Sequence, residues 1–131
     1  MIEQQMQHWH EIVRNRDANG LKSFLDAEVI FHSPVLFEPQ RGIELTTFYL
    51  SAALKVLVND HFKYEREIRD GANVVLEFTT ELDGIVVNGV DMIRFNESGR
   101  VIEFKVMLRP LKGIQAVQER MMKMLQAMKN G

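Results

Sequence analysis

The hydrophobic period of this 131-residue chain changes near residue 60, from helical to strand spacing, and the change sets its class. Before it, apolar residues recur at helical spacing: Ile2, Met6, Trp9 and Val13 in 2–16, then Leu45, Phe48 and Ala52 in 44–57. Asp17-Ala18-Asn19-Gly20 breaks the first helix, and Leu21 to Leu25 reads as a short second one. Val29-Ile30-Phe31 is a brief β-prone run stopped by Ser33-Pro34, and 34–42 reads as a loop. After residue 60 the period is two. Strands are expected at 62–68, 74–82, 85–95 and 101–108, with turn signals at Asp70-Gly71, Asp83-Gly84 and Glu97-Ser98-Gly99. Helices followed by a meander predict an α+β fold. Residues 111–128 return to helix, with a stripe of Leu111, Ile114, Val117, Met121, Leu125 and Met128.

Directly opposed residues of paired strands share a face. With Asp83-Gly84 as a two-residue turn, Leu76 opposes Asp91 and Phe78 opposes Gly89. Pairing Phe95 with Ile102 then brings Asp91 to Val106 and Ile93 to Phe104. One face carries Leu76, Phe78, Gly89, Asp91, Ile93, Phe95, Ile102, Phe104, Val106 and Leu108, so it is the core side and Asp91 is its one ionisable residue. A carboxylate there is costly to desolvate, so burial should push its pKa up. Such a group is either a site residue or a structural one that bonds a helix or loop.

Composition narrows the function. Without cysteine there are no disulfides, thiolate nucleophiles or zinc-thiolate sites. Net charge is −2 with both signs interspersed, so no basic face for nucleic acid is expected. His8, His10, His32 and His61 lack metal-ligand spacing, and no glycine cluster forms a phosphate cradle; no metal or cofactor is expected. There is no secretory signal and no apolar run long enough to span a bilayer, so a cytoplasmic location is expected.

The stretch Gly89-Val90-Asp91-Met92-Ile93-Arg94-Phe95-Asn96-Glu97-Ser98-Gly99-Arg100 resembles the segment of ketosteroid isomerases that carries their oxyanion-hole aspartic acid. Phe31-His32-Ser33-Pro34-Val35-Leu36-Phe37-Glu38-Pro39 is similar to the segment in which their catalytic base precedes a proline, and the Trp9-to-Pro34 spacing matches without gaps. The likeness covers about residues 6–108. It implies the nuclear-transport-factor-2-like or SnoaL-like superfamily: a cone-shaped, strongly bent antiparallel sheet wrapped around N-terminal helices, often dimerised through its outer face. One such domain is expected over 1–131, with 111–128 as an added helix.

The resemblance gives Asp91 the role of a protonated, hydrogen-bond-donating acid. It puts Ser33 in the general base's position, where a hydroxyl has no useful basicity near neutral pH. Trp9 takes the oxyanion tyrosine's position; an indole N–H donates but does not exchange a proton as a phenol does. Tyr49 resembles a supporting tyrosine. His32, the other candidate base, should alternate away from Ser33 and bond backbone at a strand end.

The expected pocket is lined by Trp9, Phe31, Ser33, Phe37, Tyr49, Leu76, Phe78, Ile93, Phe104, Val106 and Leu108 around Asp91. It predicts a small apolar ligand and a homodimer. The alternatives are an isomerase, dehydratase, cyclase or hydrolase with Asp91 as proton donor, and an interaction module docking through helix 111–128.

Overall fold

The computed structural model describes residues 2–130. Helix α1 (Ile2–Asn15), a 3-10 turn (Ala18–Gly20) and the short α2 (Leu21–Phe24) lead into β1 (Leu25–His32). Then come β2 (Gln40–Arg41), α3 (Ile43–Leu57), β3 (Lys63–Asp70), β4 (Asn73–Leu82), β5 (Ile85–Phe95), β6 (Val101–Arg109) and α4 (Leu111–Asn130). The fold is α+β, as the change of period predicts. β1 starts four residues before the apolar run that announces it. Its first half, Leu25-Asp26-Ala27-Glu28, alternates apolar and polar but is short and follows directly on the helix read as ending at Leu25, and there the pairing with β6 is irregular between Leu25 and Ile30.

One six-stranded sheet has the order β2-β1-β6-β5-β4-β3. All neighbours are antiparallel except β1 and β6, which run parallel. Asp83 and Gly84 both have positive φ, 51° and 84°, the geometry that two-residue hairpins favour. That turn pairs Leu82 with Ile85 and sets the ladder, so Leu76 opposes Asp91 and Phe78 opposes Gly89. On the next ladder Asp91 meets Val106 and Ile93 meets Phe104.

Two irregularities alter the faces. The β5–β6 register shifts after Arg94, so Phe95 opposes Val101 instead of Ile102. Val101 is therefore fully buried and Ile102 only half-buried, a correction to the expected inner face. The β3–β4 register shifts between Tyr64 and Arg66, which brings Tyr64 opposite Phe78. Glu65 and Arg66 then both face outwards: Glu65 accepts a hydrogen bond from the Thr79 hydroxyl at 2.9 Å, and Arg66 pairs with Glu77 at 2.9 Å.

The core lies between the inner sheet face and the helices, with Met6, Trp9, Phe24, Phe31, Phe78 and Phe104 almost wholly buried. Gly89 is required where the interior is tightest. A Cβ there would stand 2.7 Å from Leu108 Cδ2 and closer still to the ring of Phe78, so the wall around Asp91 depends on its missing side chain. Helix α4 buries Gly113, Val117 and Met121, and Met124, Leu125 and Met128 pack partly against the core. Leu111, expected in that stripe, is 69% exposed because it begins the helix. An Arg120–Asp83 ion pair ties α4 to the β4–β5 turn.

Candidate functional site

Asp91 is 6% exposed, and the cavity beside it is enclosed by α1, α3 and the four strands β3–β6. The helix α1 presents Trp9 and Val13 because residues four apart share a helical face. The C-terminal half of α3 contributes Leu50, Leu54 and Leu57, and the strands add Tyr64, Phe78, Phe104 and Val106. Ala53, Val58, Phe62 and Tyr64 are only half-buried, so the cavity meets solvent on their side. Its volume is about 40 Å³. A buried water needs roughly 10–15 Å³ measured in this way, so there is room for about three water-sized groups.

Two of the three polar side chains of the lining are joined by a hydrogen bond, and the third, Asp91, lies within the influence of the second. Trp9 is stacked on Phe24 (ring centroids 5.2 Å apart) and meets Phe104 edge-on at 5.2 Å, which fixes its indole plane. The indole N–H donates to the Tyr64 hydroxyl oxygen at 3.0 Å. With that oxygen accepting from Trp9, the phenolic proton is free to turn to the Asp91 carboxyl. Burial pushes the Asp91 pKa up to about 7, and the Tyr64 hydroxyl opposes the rise by stabilising the carboxylate. Tyr64 itself is raised well above the usual phenol value, first by burial and then by the Asp91 charge. The site therefore holds a carboxyl that can exchange a proton near neutrality, backed by a phenol that stays protonated.

Among the residues singled out in the sequence, Trp9, Phe78, Asp91, Phe104 and Val106 line the cavity. Phe31, Leu76 and Ile93 are buried in the core behind it. Tyr49 is half-buried and lies against Phe31 and Phe48, away from Asp91. Ser33, Phe37 and Leu108 line a separate groove between the β1–β2 loop and β6, and Phe37 is fully exposed. The physical reason is that β1 ends at His32. The Ser33 hydroxyl accepts from the Val35 N–H at 3.2 Å in a local turn before and around Pro34, so strand alternation no longer aims it. His32, expected to point away from Ser33 and bond backbone, borders the same groove as Ser33, and its partner is the Glu103 carboxylate at 3.0 Å. No side chain of basic character near neutral pH, other than Asp91 itself, is among the lining residues.

Tyr64 is the site residue that periodicity misses. Counting back from the Asp70–Asn73 pair in strict register places Glu65 opposite Phe78 and turns Tyr64 outwards; the bulge reverses this. The clue in the sequence is that a strict count would set Glu65 against the Phe78 ring in the apolar interior.

Residues 6–104 match the family model of the SnoaL-like domain. No protein of curated function matches the chain. Among solved structures, a steroid delta-isomerase from Pseudomonas aeruginosa is 34% identical with a TM-score of 0.94, covering 99% of this chain and 95% of that one. A protein with a cystatin-like fold from Silicibacter pomeroyi is 26% identical with a TM-score of 0.84, covering 91% and 83%. A de novo designed protein with a curved β-sheet shares the fold at 17% identity and a TM-score of 0.70, covering 89% and 96%.

Proposed function

Since this chain belongs to the SnoaL-like domain family, we propose that it binds a small, mainly apolar molecule in the cavity beside Asp91. The observation that carries this is one carboxyl, 6% exposed, facing a cavity whose other lining groups are apolar or already joined to one another. In its protonated form Asp91 donates a hydrogen bond to a carbonyl oxygen of the ligand. The domain includes α4, whose Met121 and Val117 close the core. Exposed Met92 and Met107 on the outer sheet face support a homodimer there; a monomer in analytical ultracentrifugation would discount it.

The name of the Pseudomonas aeruginosa relative invites steroid isomerisation. Two features argue against it here. The Ser33 hydroxyl lies outside the cavity and is not basic. Ligand pockets for drug-sized molecules span roughly 300–1,000 Å³, whereas this cavity is about 40 Å³. A steroid assay on a 5-ene-3-ketosteroid should give no turnover; rapid conversion would overturn the assignment. The direct test is native mass spectrometry of the purified protein together with Asp91→Asn. A small adduct retained by the parent and lost by the variant supports the proposal. Binding unaffected by the substitution contradicts it.

A second reading has Asp91 as the proton donor of an isomerase, dehydratase, cyclase or hydrolase. It draws on a pKa pushed to about 7, where an acid both gives and regains a proton. Turnover abolished in Asp91→Asn with a melting temperature no lower than the parent's would favour it.

A further inference from the structure

We propose that the same cavity also binds a small organic ammonium ion, held between the Asp91 carboxylate and the surrounding aromatic rings. The inference rests on the cavity being a ligand site and adds a second ligand class to it. Its first support is the direction of the Trp9–Tyr64 hydrogen bond. Trp9 donates to Tyr64 at 3.0 Å, and the Tyr64 hydroxyl stabilises the charged form of Asp91. The Trp9 N–H is thus spent on Tyr64, and the Tyr64 hydroxyl is left to favour the carboxylate. An ionised carboxylate has about four acceptor sites, and Tyr64 can fill one. The remaining acceptor capacity faces a cavity whose other lining side chains, Trp9 and Tyr64 apart, bear no donor. A ligand that brings N–H donors and a positive charge completes that arrangement.

The second support is the wall. Trp9, Phe62, Tyr64, Phe78 and Phe104 all line the cavity, and no Lys, Arg or His does. Ring faces attract alkylammonium groups, most strongly when water is excluded. The third is size. A space of about 40 Å³ suits the head of a short alkylamine, with its chain directed towards half-buried Val58 and Phe62.

The titratable groups facing Asp91 are few. β3 presents Tyr64; α1 presents Trp9 and Val13, α3 Leu50 and Leu54, and β4 and β6 apolar side chains. Glu67, farther along β3, bears on the Tyr64 hydroxyl and is itself paired with His10 and Arg69. Asp91 is therefore the group whose ionisation selects the ligand. Protonated, it donates to a carbonyl; ionised, it accepts an ammonium.

The test uses Trp9, the single tryptophan of the chain, which lies in the cavity wall. Its indole N–H signal in nitrogen-15 NMR reports binding of two probes of similar size, n-propylammonium and 2-butanone. An alkylammonium, like a lysine side chain, stays charged up to about pH 10, so pH acts through the protein. With the Asp91 pKa at about 7, n-propylammonium should bind about tenfold more tightly at pH 8 than at pH 6. The ketone should weaken by a similar factor, and Asp91→Asn should lose the ammonium at every pH. Ammonium affinity that is flat or falls with rising pH, or that survives in Asp91→Asn, overturns the proposal. If the ketone binds as expected while the ammonium does not, the inference fails alone. If neither probe moves the Trp9 signal at any pH, the ligand site itself fails with it.

Discussion

Asp91 and Glu103 sit on adjacent strands of one sheet and point to opposite sides, and their surroundings push them in opposite directions. On the inner face Asp91 meets Trp9, Tyr64 and hydrocarbon, and burial lifts its pKa to about 7. On the outer face Glu103 lies between His32 at 3.0 Å and Arg94 at 3.3 Å. Partial burial raises it too, but the His32 hydrogen bond and the Arg94 charge outweigh that and hold it below the usual carboxylate value. Desolvation decides where no cation is in reach, and pairing decides where two are. The same residue chemistry therefore gives a proton-exchanging group on one face and a permanent anion on the other.

The largest expected effect comes from removing the inner charge. A raised acid pKa means that the folded state binds the proton more tightly than the unfolded chain. The stabilisation is complete below the ordinary aspartate value of about 3.9 and is lost as pH rises through about 7. The difference is worth up to about 4 kcal/mol. Asp91→Asn cannot ionise, so urea denaturation at pH 8 should find it more stable than the parent by several kcal/mol, with the gap closing towards pH 4. A variant that is less stable at pH 8 would mean that the carboxylate is a structural anchor.

A smaller effect is expected at the phenol. Tyr64→Phe removes the group that stabilises the Asp91 carboxylate, so the Asp91 pKa should rise further, on the order of one pH unit. Carbon-13 NMR of the Asp91 carboxyl during a pH titration measures this directly. No change, or a fall, would remove Tyr64 from the site.

The smallest belongs to the outer face. Glu103 has a lowered pKa, so its contribution is present above the ordinary glutamate value and is lost as pH falls through the lowered one. Partly exposed pairs of this kind are worth under about 1 kcal/mol. Glu103→Gln should destabilise the protein by no more than that at pH 7, and less in high salt. A loss of several kcal/mol would show that the two faces are not so different after all.

Much of this arrangement was legible in the sequence, for physical reasons that can be named. Asp83-Gly84 permits the positive φ values that a two-residue turn demands, and that one turn pairs Leu76 with Asp91 and Phe78 with Gly89. Where the register slips, the reading slipped with it: Val101 took the inward place expected of Ile102, and Tyr64 entered the site unannounced. Alternation carries no warning of a bulge. The places of Ser33 and Phe37 were also misjudged, because in a loop the backbone has no period and spacing alone does not aim a side chain. The cavity's small volume depends on how α3 settles against β4 and β6, which no pattern along one strand records.

The extra residue in β3 also decides how many acids the interior contains. Were β3 paired with β4 in strict register, at the same length and without the bulge, Glu65 would turn in against the Phe78 ring and Tyr64 would face solvent. The hollow would then hold two carboxyls competing for a single proton, with no phenol to steady either. A one-residue change of register in an edge strand is thus enough to turn a monoacid site into a diacid one, a short step between two quite different chemistries on an unchanged frame.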